Sequence, residues 1–218
     1  GAFSSDPTKS KESGKSYFLP ENRTYPSYEE MFKAEAELPE GDRMDFVTIV
    51  TPNHMHFPVQ KRALESGFNI MSDKPMCFNL SEAEQLVDLV NSAGMLFGLT
   101  HNYTGYPMVK EAKHRIASGD LGKIRKIIVE YSQGWLATFL ENEHQKQASW
   151  RTDPERAGAS CCIGDIGTHA ENLAEYITGL KIAELCCEFT TFVEGRLLED
   201  DANLLIKYDN GARGILYS

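Results

Sequence analysis

The order of apolar runs predicts two α/β layers of different texture: a doubly wound parallel sheet over residues 1–104, then an α+β domain with a largely antiparallel open sheet over residues 105–218. Two observations carry this. Up to about Thr100, strand-like runs alternate with segments of helical period, as parallel strands joined by crossover helices require. After Gly122, strand-like runs follow one another with one clear helix among them.

In chain order, "YEEMFKAEAEL" (Tyr28 to Leu38) reads as a helix, and "DFVTIV" (Asp45 to Val50) as a buried parallel strand. "HFPVQKRALESG" is a helix stopped by Gly67, and "FNIMS" the next strand. "SEAEQLVDLVNSAG" opens with Ser81 and Glu84 at capping-box spacing and closes at Gly94. Its Ala83, Leu86, Val87 and Val90 are expected on one face. "MLFGLT" is a strand, and a helix follows from about Pro107 to Ser118. In the second half, "IRKIIVEYSQ", "ELCCEFTTFV", "ANLLIKY" and "ARGILYS" read as strands, with a helix from Ile166 to Ile177. "DNGA" (Asp209 to Ala212) is a hairpin turn.

A doubly wound nucleotide domain opens with strand, GxGxxG turn and helix, and no such turn occurs in this sequence. "GAFSSDP" reads as the end of a strand already under way, and "GILYS" stops inside a strand-like run. The sequence is therefore expected to be part of a longer chain.

The 218 residues carry a formal net charge of -10, which argues against nucleic-acid and anionic-membrane partners. No apolar run reaches the length of a membrane span, and the first residues lack the pattern of a signal peptide. Of five cysteines, four sit in adjacent pairs (Cys161–Cys162 and Cys186–Cys187) and none in CxxC spacing. They read as reduced thiols of a cytoplasmic protein, with no metal site.

Ligands of open α/β sheets bind beyond the carboxyl ends of the strands. Three successive strand ends place polar groups there: Thr51, Pro52, Asn53 and His56 in "TPNHMHFP", Lys74 and Pro75 after Asp73, and His101 and Asn102 after "MLFGLT". In "GDIGTHAEN", a helix would set Asp165, His169 and Asn172 on one face, where a carboxylate one turn before an imidazole orients the ring. Upstream, "WRTDPERAG" offers Trp150 and Arg151, an aromatic face and a guanidinium.

In this order and spacing, "TPNHMHFP", "SDKPM", "THNYTGYP", "WRTDP" and "GDIGTHAEN" resemble the glucose-fructose oxidoreductase/inositol dehydrogenase/rhizopine-catabolism (Gfo/Idh/MocA) family. The resemblance implies a Rossmann-like dinucleotide-binding domain and a C-terminal domain whose open sheet often mediates dimers, hence a homo-oligomer. It also implies hydride transfer between NAD or NADP and a carbon of a sugar, cyclitol or related polyol. Lys74 would reach toward both nicotinamide and substrate. Asp73 stands where the family usually has glutamate, and Asp165 and His169 match its Asp-x-x-x-His. The acidic residue that usually grips the adenosine ribose is replaced by Ser4, with Ser5 beside it and Lys9 and Lys11 nearby, a turn that leans slightly toward NADP.

The expected catalytic residues are Lys74, Asp165 and His169. Cofactor contacts are expected from Ser4, Ser5, Thr51, Pro52, Asn53, His56, Asp73, Lys74, Pro75 and Asn102, and substrate contacts from Tyr103, Trp150, Arg151 and Asn172. His169 is one candidate for general base and Lys74 the other. Two alternatives to a dehydrogenase stand beside it: a glycosidase using transient NAD-dependent oxidation, and a non-catalytic sugar or nucleotide sensor.

Overall fold

The computed structural model describes residues 1–4, 6–143 and 145–218. It divides into two compact units: residues 1–51 with 55–99, and residues 52–54 with 100–218.

The first unit opens with α1 (Pro7–Ser16), which the sequence reading did not anticipate. Its start signals are local: the Asp6 carboxylate accepts from the Thr8 and Lys9 amides, and Pro7 supplies a ready-made helical φ. Gly1 to Ser4 join no strand. Helix α2 (Tyr28–Ala36) follows with Ser27 as its cap, then β1 (Phe46–Ile49), α3 (His56–Glu65), β2 (Asn69–Asp73), α4 (Leu80–Ala93) and β3 (Phe97–Thr100). The strands lie in the order β1-β2-β3, with β1 and β2 parallel and Val47 opposite Ile70.

Phe32 of α2, Ala63 and Leu64 of α3, and Leu86 of α4 pack with Val47, Ile49 and Ile70 into one core. Strand β1 is buried on that face alone: Val47 and Ile49 point in, while Phe46, Thr48 and Val50 are exposed. The reading of "DFVTIV" as a buried parallel strand holds for that face.

Two expectations for α4 shift. Its cap is Asn79, not Ser81: Asn79 Oδ1 accepts from the Glu82 amide, and Glu82 Oε2 accepts from the Phe78 amide. Asn79-x-x-Glu82 and Ser81-x-x-Glu84 have the same spacing, and the earlier pair takes the end because Ser81 already lies inside the first turn. The buried face runs through Ala83, Leu86, Leu89, Val90 and Ala93, leaving Val87 exposed.

The second unit carries α5 (Pro107–Ala117), β4 (Lys126–Glu130), two short helices α6 (Lys146–Arg151) and α7 (Pro154–Ala157), α8 (Thr168–Thr178), and the strands β5 (Ile182–Thr190), β6 (Asp201–Tyr208) and β7 (Arg213–Tyr217). The sheet order is β4-β7-β6-β5, antiparallel except for the parallel β4–β7 pair. The β6–β7 hairpin turns at Gly211, whose φ of +87° favours glycine, and Asn210 Oδ1 accepts from the Ala212 amide. Ala202, Leu204, Ile206, Tyr208 and Leu216 face Ala170 of α8. A Cβ on Gly214 would meet the Tyr208 ring at 2.7 Å, so the ring lies where only glycine permits it.

The helix expected from Ile166 begins differently. Residues Ile163–Gly167 form a π-turn, and α-helical winding starts at Thr168. A Cβ on Gly167 would come within 2.2 Å of Ile163 Cδ1, so this packing tolerates no larger residue there. Single π-turns inside helices mark functional positions more often than chance.

Replacing Asn79 by alanine is expected to lower stability by about 1 kcal/mol, whereas Ser81→Ala should be close to neutral. Paired chemical denaturations check this. An inverted order of the two variants would return the cap to Ser81.

Candidate active site

In the first unit, two side chains beneath the surface hold the loop after β2. His56, with 1% of its surface exposed, sets Nδ1 2.6 Å from the Pro75 carbonyl and Nε2 2.8 Å from the Thr51 carbonyl. One turn on, fully buried Gln60 donates Nε2–H to Ser72 Oγ (2.8 Å) and the Met76 carbonyl (2.9 Å). Lys74 therefore stands on a loop held from α3 on both sides, at the Ser72 hydroxyl before it and at the Pro75 and Met76 carbonyls after it. Its amide donates to Asp73 Oδ1 (2.9 Å), and the Lys74–Pro75 peptide is cis. His56 was expected at the cofactor. Its two ring nitrogens face backbone carbonyls of Pro75 and Thr51.

Thr51 Oγ1 and His54 Nδ1 are buried and, among the described residues, have no hydrogen-bond partner. The unpaired Thr51 hydroxyl, at the end of β1 in the first unit, fits a polar group of a bound dinucleotide. Asn53 is buried and donates to the Ala157 carbonyl (2.9 Å), which groups it with the second unit beside Pro52. At the N-terminus, Ser4 Oγ accepts from the Asp6 amide (3.1 Å), while the Asp6 carboxylate is committed to the start of α1. Ser5 lies outside the described residues.

The second unit gathers rings about His169, which is 9% exposed. Its ring centroid lies 4.7 Å from Tyr103, 6.0 Å from His101 and 6.2 Å from Tyr131. The Tyr103 and Tyr131 hydroxyls are 2.5 Å apart, and that bond, with burial, pushes the Tyr103 phenol up to about 12. Tyr103 is carried by the short helical turn Asn102–Gly105, on which Asn102 is exposed. Asn172 is half-buried on α8.

Asp165 stands on the π-turn and accepts from Arg151 Nε at 3.1 Å. The guanidinium also donates to Gln147 Oε1 (2.5 Å) and lies over the Trp150 ring at 4.2 Å, with Trp135 at 5.9 Å. Arg151 and Trp150 were expected as substrate contacts. Their hydrogen bonds give Arg151 a second task, fixing Asp165, with Trp150 packed against it.

The π-turn is itself anchored. Glu199 Oε1 accepts from Ser160 Oγ (2.6 Å) and from the Cys161 (3.0 Å) and Ile163 (3.1 Å) amides, and Ser160 Oγ accepts from the Gly164 amide. Burial pushes the Cys77 and Cys161 thiols up to about 12, so both are poor nucleophiles.

Sequence reasoning missed Gln60, Tyr131 and Glu199. Gln60 had a signal: with His56 it forms a polar i,i+4 pair on the buried face of α3. Tyr131 and Glu199 had none, since only the fold brings them to residues 28 and 36–39 positions away in sequence.

Two profiles account for nearly the whole chain. "Oxidoreductase family, NAD-binding Rossmann fold" matches residues 1–101, and "GFO/IDH/MocA C-terminal domain" matches residues 109–218. The chain belongs to the GFO/IDH/MocA oxidoreductase family. It is 34% identical to the uncharacterized oxidoreductase YfiI of Bacillus subtilis, over 100% of this chain and 56% of that protein. It is 29% identical to levoglucosan dehydrogenase of Pseudarthrobacter phenanthrenivorans, over 77% of this chain and 42% of that one. Among solved structures, an inositol dehydrogenase homolog from Azotobacter vinelandii, complexed with NAD+, superposes with a TM-score of 0.93 at 36% identity, covering 99% of this chain and 55% of that chain. The chain thus spans about half the length of these relatives.

Glu199→Ala would strand two amides and a hydroxyl in a buried place. It is expected to cost about 3 kcal/mol or more, read as a fall in the denaturation midpoint at unchanged slope. A loss within about 0.5 kcal/mol would show that the π-turn holds without it.

Proposed function

We propose that the protein containing this chain transfers a hydride between NAD or NADP and a hydroxyl or carbonyl carbon of a sugar, cyclitol or related polyol. The observation that carries this reading is the environment of His169: a buried imidazole on the helix that follows Asp165, walled by phenols able to hydrogen-bond a polyol. Relatives named for inositol and levoglucosan support the substrate class.

The dinucleotide fits the orphaned Thr51 hydroxyl and the loop that carries Lys74. When bound, it supplies the hydride chemistry, and the protein is left with a proton to move. His169 accepts the hydroxyl proton as general base, and Asp165, held by Arg151, orients it. Lys74 donates a hydrogen bond to the reacting oxygen and stabilises its developing negative charge. With Lys74 as base, His169 takes the donor's role instead. Asn102, Tyr103, Trp150 and Asn172 are assigned to substrate or cofactor contact. The choice between NAD and NADP rests on the turn at Ser4, where the side chain does not repel a 2′-phosphate.

The partner of the second sheet is a second copy of this chain. Across the open face, Ile128, Ile215, Leu205 and Cys186 stand directly opposite one another along one row over the four strands. Ile128 and Leu205 are 65% and 64% exposed. On one side runs the row Lys126, Arg213, Lys207 and Glu184, and on the other Glu130, Tyr217, Asn203 and Glu188. Turning a second copy over about the apolar row sets its mostly basic row against the first copy's acidic one, as a two-fold interface requires.

Lys74→Met in the full-length protein should lower turnover at least about a hundredfold, measured as NAD(P)H formation with whichever sugar or cyclitol a panel identifies. Near-normal activity removes Lys74 from the mechanism. Release of a glycoside leaving group without net cofactor reduction would make the protein a glycosidase, and binding without turnover would make it a sensor. Independently, Leu205→Glu should convert the oligomer to a smaller species by light scattering. An unchanged mass would clear this face of the interface.

A further inference from the structure

A chain of hydrogen bonds running from Trp135 to Tyr103 ends beside His169. The Trp135 indole N–H donates to Gln133 Oε1 at 3.1 Å, Gln133 Nε2 donates to Tyr131 Oη at 2.7 Å, and Tyr131 Oη meets Tyr103 Oη at 2.5 Å. Its direction follows from donor and acceptor chemistry. An indole nitrogen only donates, so the Gln133 atom facing it is the carbonyl oxygen. The amide nitrogen then faces Tyr131 as a donor. Tyr131 Oη thus receives one proton from Gln133, and two hydroxyl protons remain for two phenols. One of them lies between the two oxygens and the other points outward, so the pair presents a donor. Donation into Tyr131 makes its own hydroxyl the stronger donor, which sends the inner proton toward Tyr103 and turns the Tyr103 proton outward.

We propose that Tyr131 is a positioning residue for substrate: oriented by Gln133 and Trp135, it donates to Tyr103 and fixes the Tyr103 hydroxyl as a hydrogen-bond donor to a substrate oxygen beside His169. The ligand class is one with a hydroxyl or carbonyl oxygen at that point, as in a polyol or its ketone. A ligand presenting an ammonium there would meet a donor with no lone pair turned toward it. The identity of the ligand rests on the dehydrogenase reading, whereas the direction of the chain does not. No member of the chain is charged near neutral pH, since phenols ordinarily titrate at about 10, so the donor persists across the working pH range.

The test uses the full-length protein in two arms. In the kinetic arm, Tyr131→Phe keeps the ring against His169 and removes the hydroxyl. KM for the sugar or polyol should rise about tenfold, with a smaller change in kcat. Tyr103→Phe should do the same, and the double variant should be no worse than Tyr103→Phe alone, because both act through one bond. An unchanged KM in Tyr131→Phe, or strictly additive losses, overturns the proposal. In the ligand-free arm, the proton held between the two phenol oxygens, 2.5 Å apart, should give a downfield, slowly exchanging proton NMR signal with its strongest cross-peaks to the Tyr131 ring, and Tyr131→Phe should remove it. Absence of that signal, or its persistence in Tyr131→Phe, overturns the chain. If the wild type turns over no sugar or polyol, the dehydrogenase reading falls and the ligand-free arm alone decides the hydrogen-bond chain.

Discussion

Three hydrogen bonds converge on one oxygen of Glu199, from the Ser160 hydroxyl and the Cys161 and Ile163 amides, and the helix that bears His169 is built outward from that point. The start of a helix exposes amide donors with no partner in the helix itself, and burying them unpaired is costly. Here the partner is a carboxylate from the segment leading into β6, so the π-turn is tied directly to the sheet. The backbone reinforces the tie, since the Cys162 amide donates to the Glu199 carbonyl at 3.2 Å. With its beginning fixed, the turn sets the direction of Asp165, and α8 can carry His169 against the rings of Tyr103 and Tyr131.

The same constraint acts on the Lys74 loop with different chemistry. Its carbonyls, not its amides, need partners, and side chains rise from α3: Gln60 donates to Met76, and the His56 ring lies between the Pro75 and Thr51 carbonyls. Both helical side chains are buried. In each unit the residue proposed to meet substrate is therefore flanked by backbone that a buried polar side chain holds. A mutation at Glu199 or Gln60 would act on the site without touching a ligand.

The sequence disclosed what is local or periodic. Strand and helix order, the Gly67, Gly94 and Asn210–Gly211 stops, and the loops after the strands follow from alternation and turn chemistry over a few residues. What it hid has two physical sources. Competing local signals of equal spacing cannot be ranked without the chain path, as at Asn79 and Ser81. Long-range partners leave no trace in spacing, as with Glu199 and Ser160 or Tyr131 and Tyr103. Helix α1 was hidden differently: "PTKSKESGKS" has almost no apolar face, so periodicity is silent, and only Asp6 and Pro7 mark it. The π-turn was illegible because glycines in "IGDIG" read as weak helix, when their missing side chains are what the tight packing on Ile163 requires.

The donor chain beside His169 shows how specificity could vary on this frame without disturbing acid–base groups. Tyr131 follows β4 directly, and its amide donates to the Tyr217 carbonyl at 3.1 Å, so the sheet fixes its position. Gln133 and Trp135 lie in the loop that comes next. Arg196, whose side chain is wholly buried, holds that loop: it donates to the Leu136 and Thr138 carbonyls and pairs with Glu141 and Asp200. Three of these four partners lie within the loop and the short turn after it, so one guanidinium orders the segment through several bonds whose loss would be cooperative. Substitutions at Gln133 would reverse or release the Tyr103 proton while leaving Arg196, Glu199 and the π-turn untouched. The direction of one hydroxyl, set from a loop, is thus separable from the proton chemistry set by a helix.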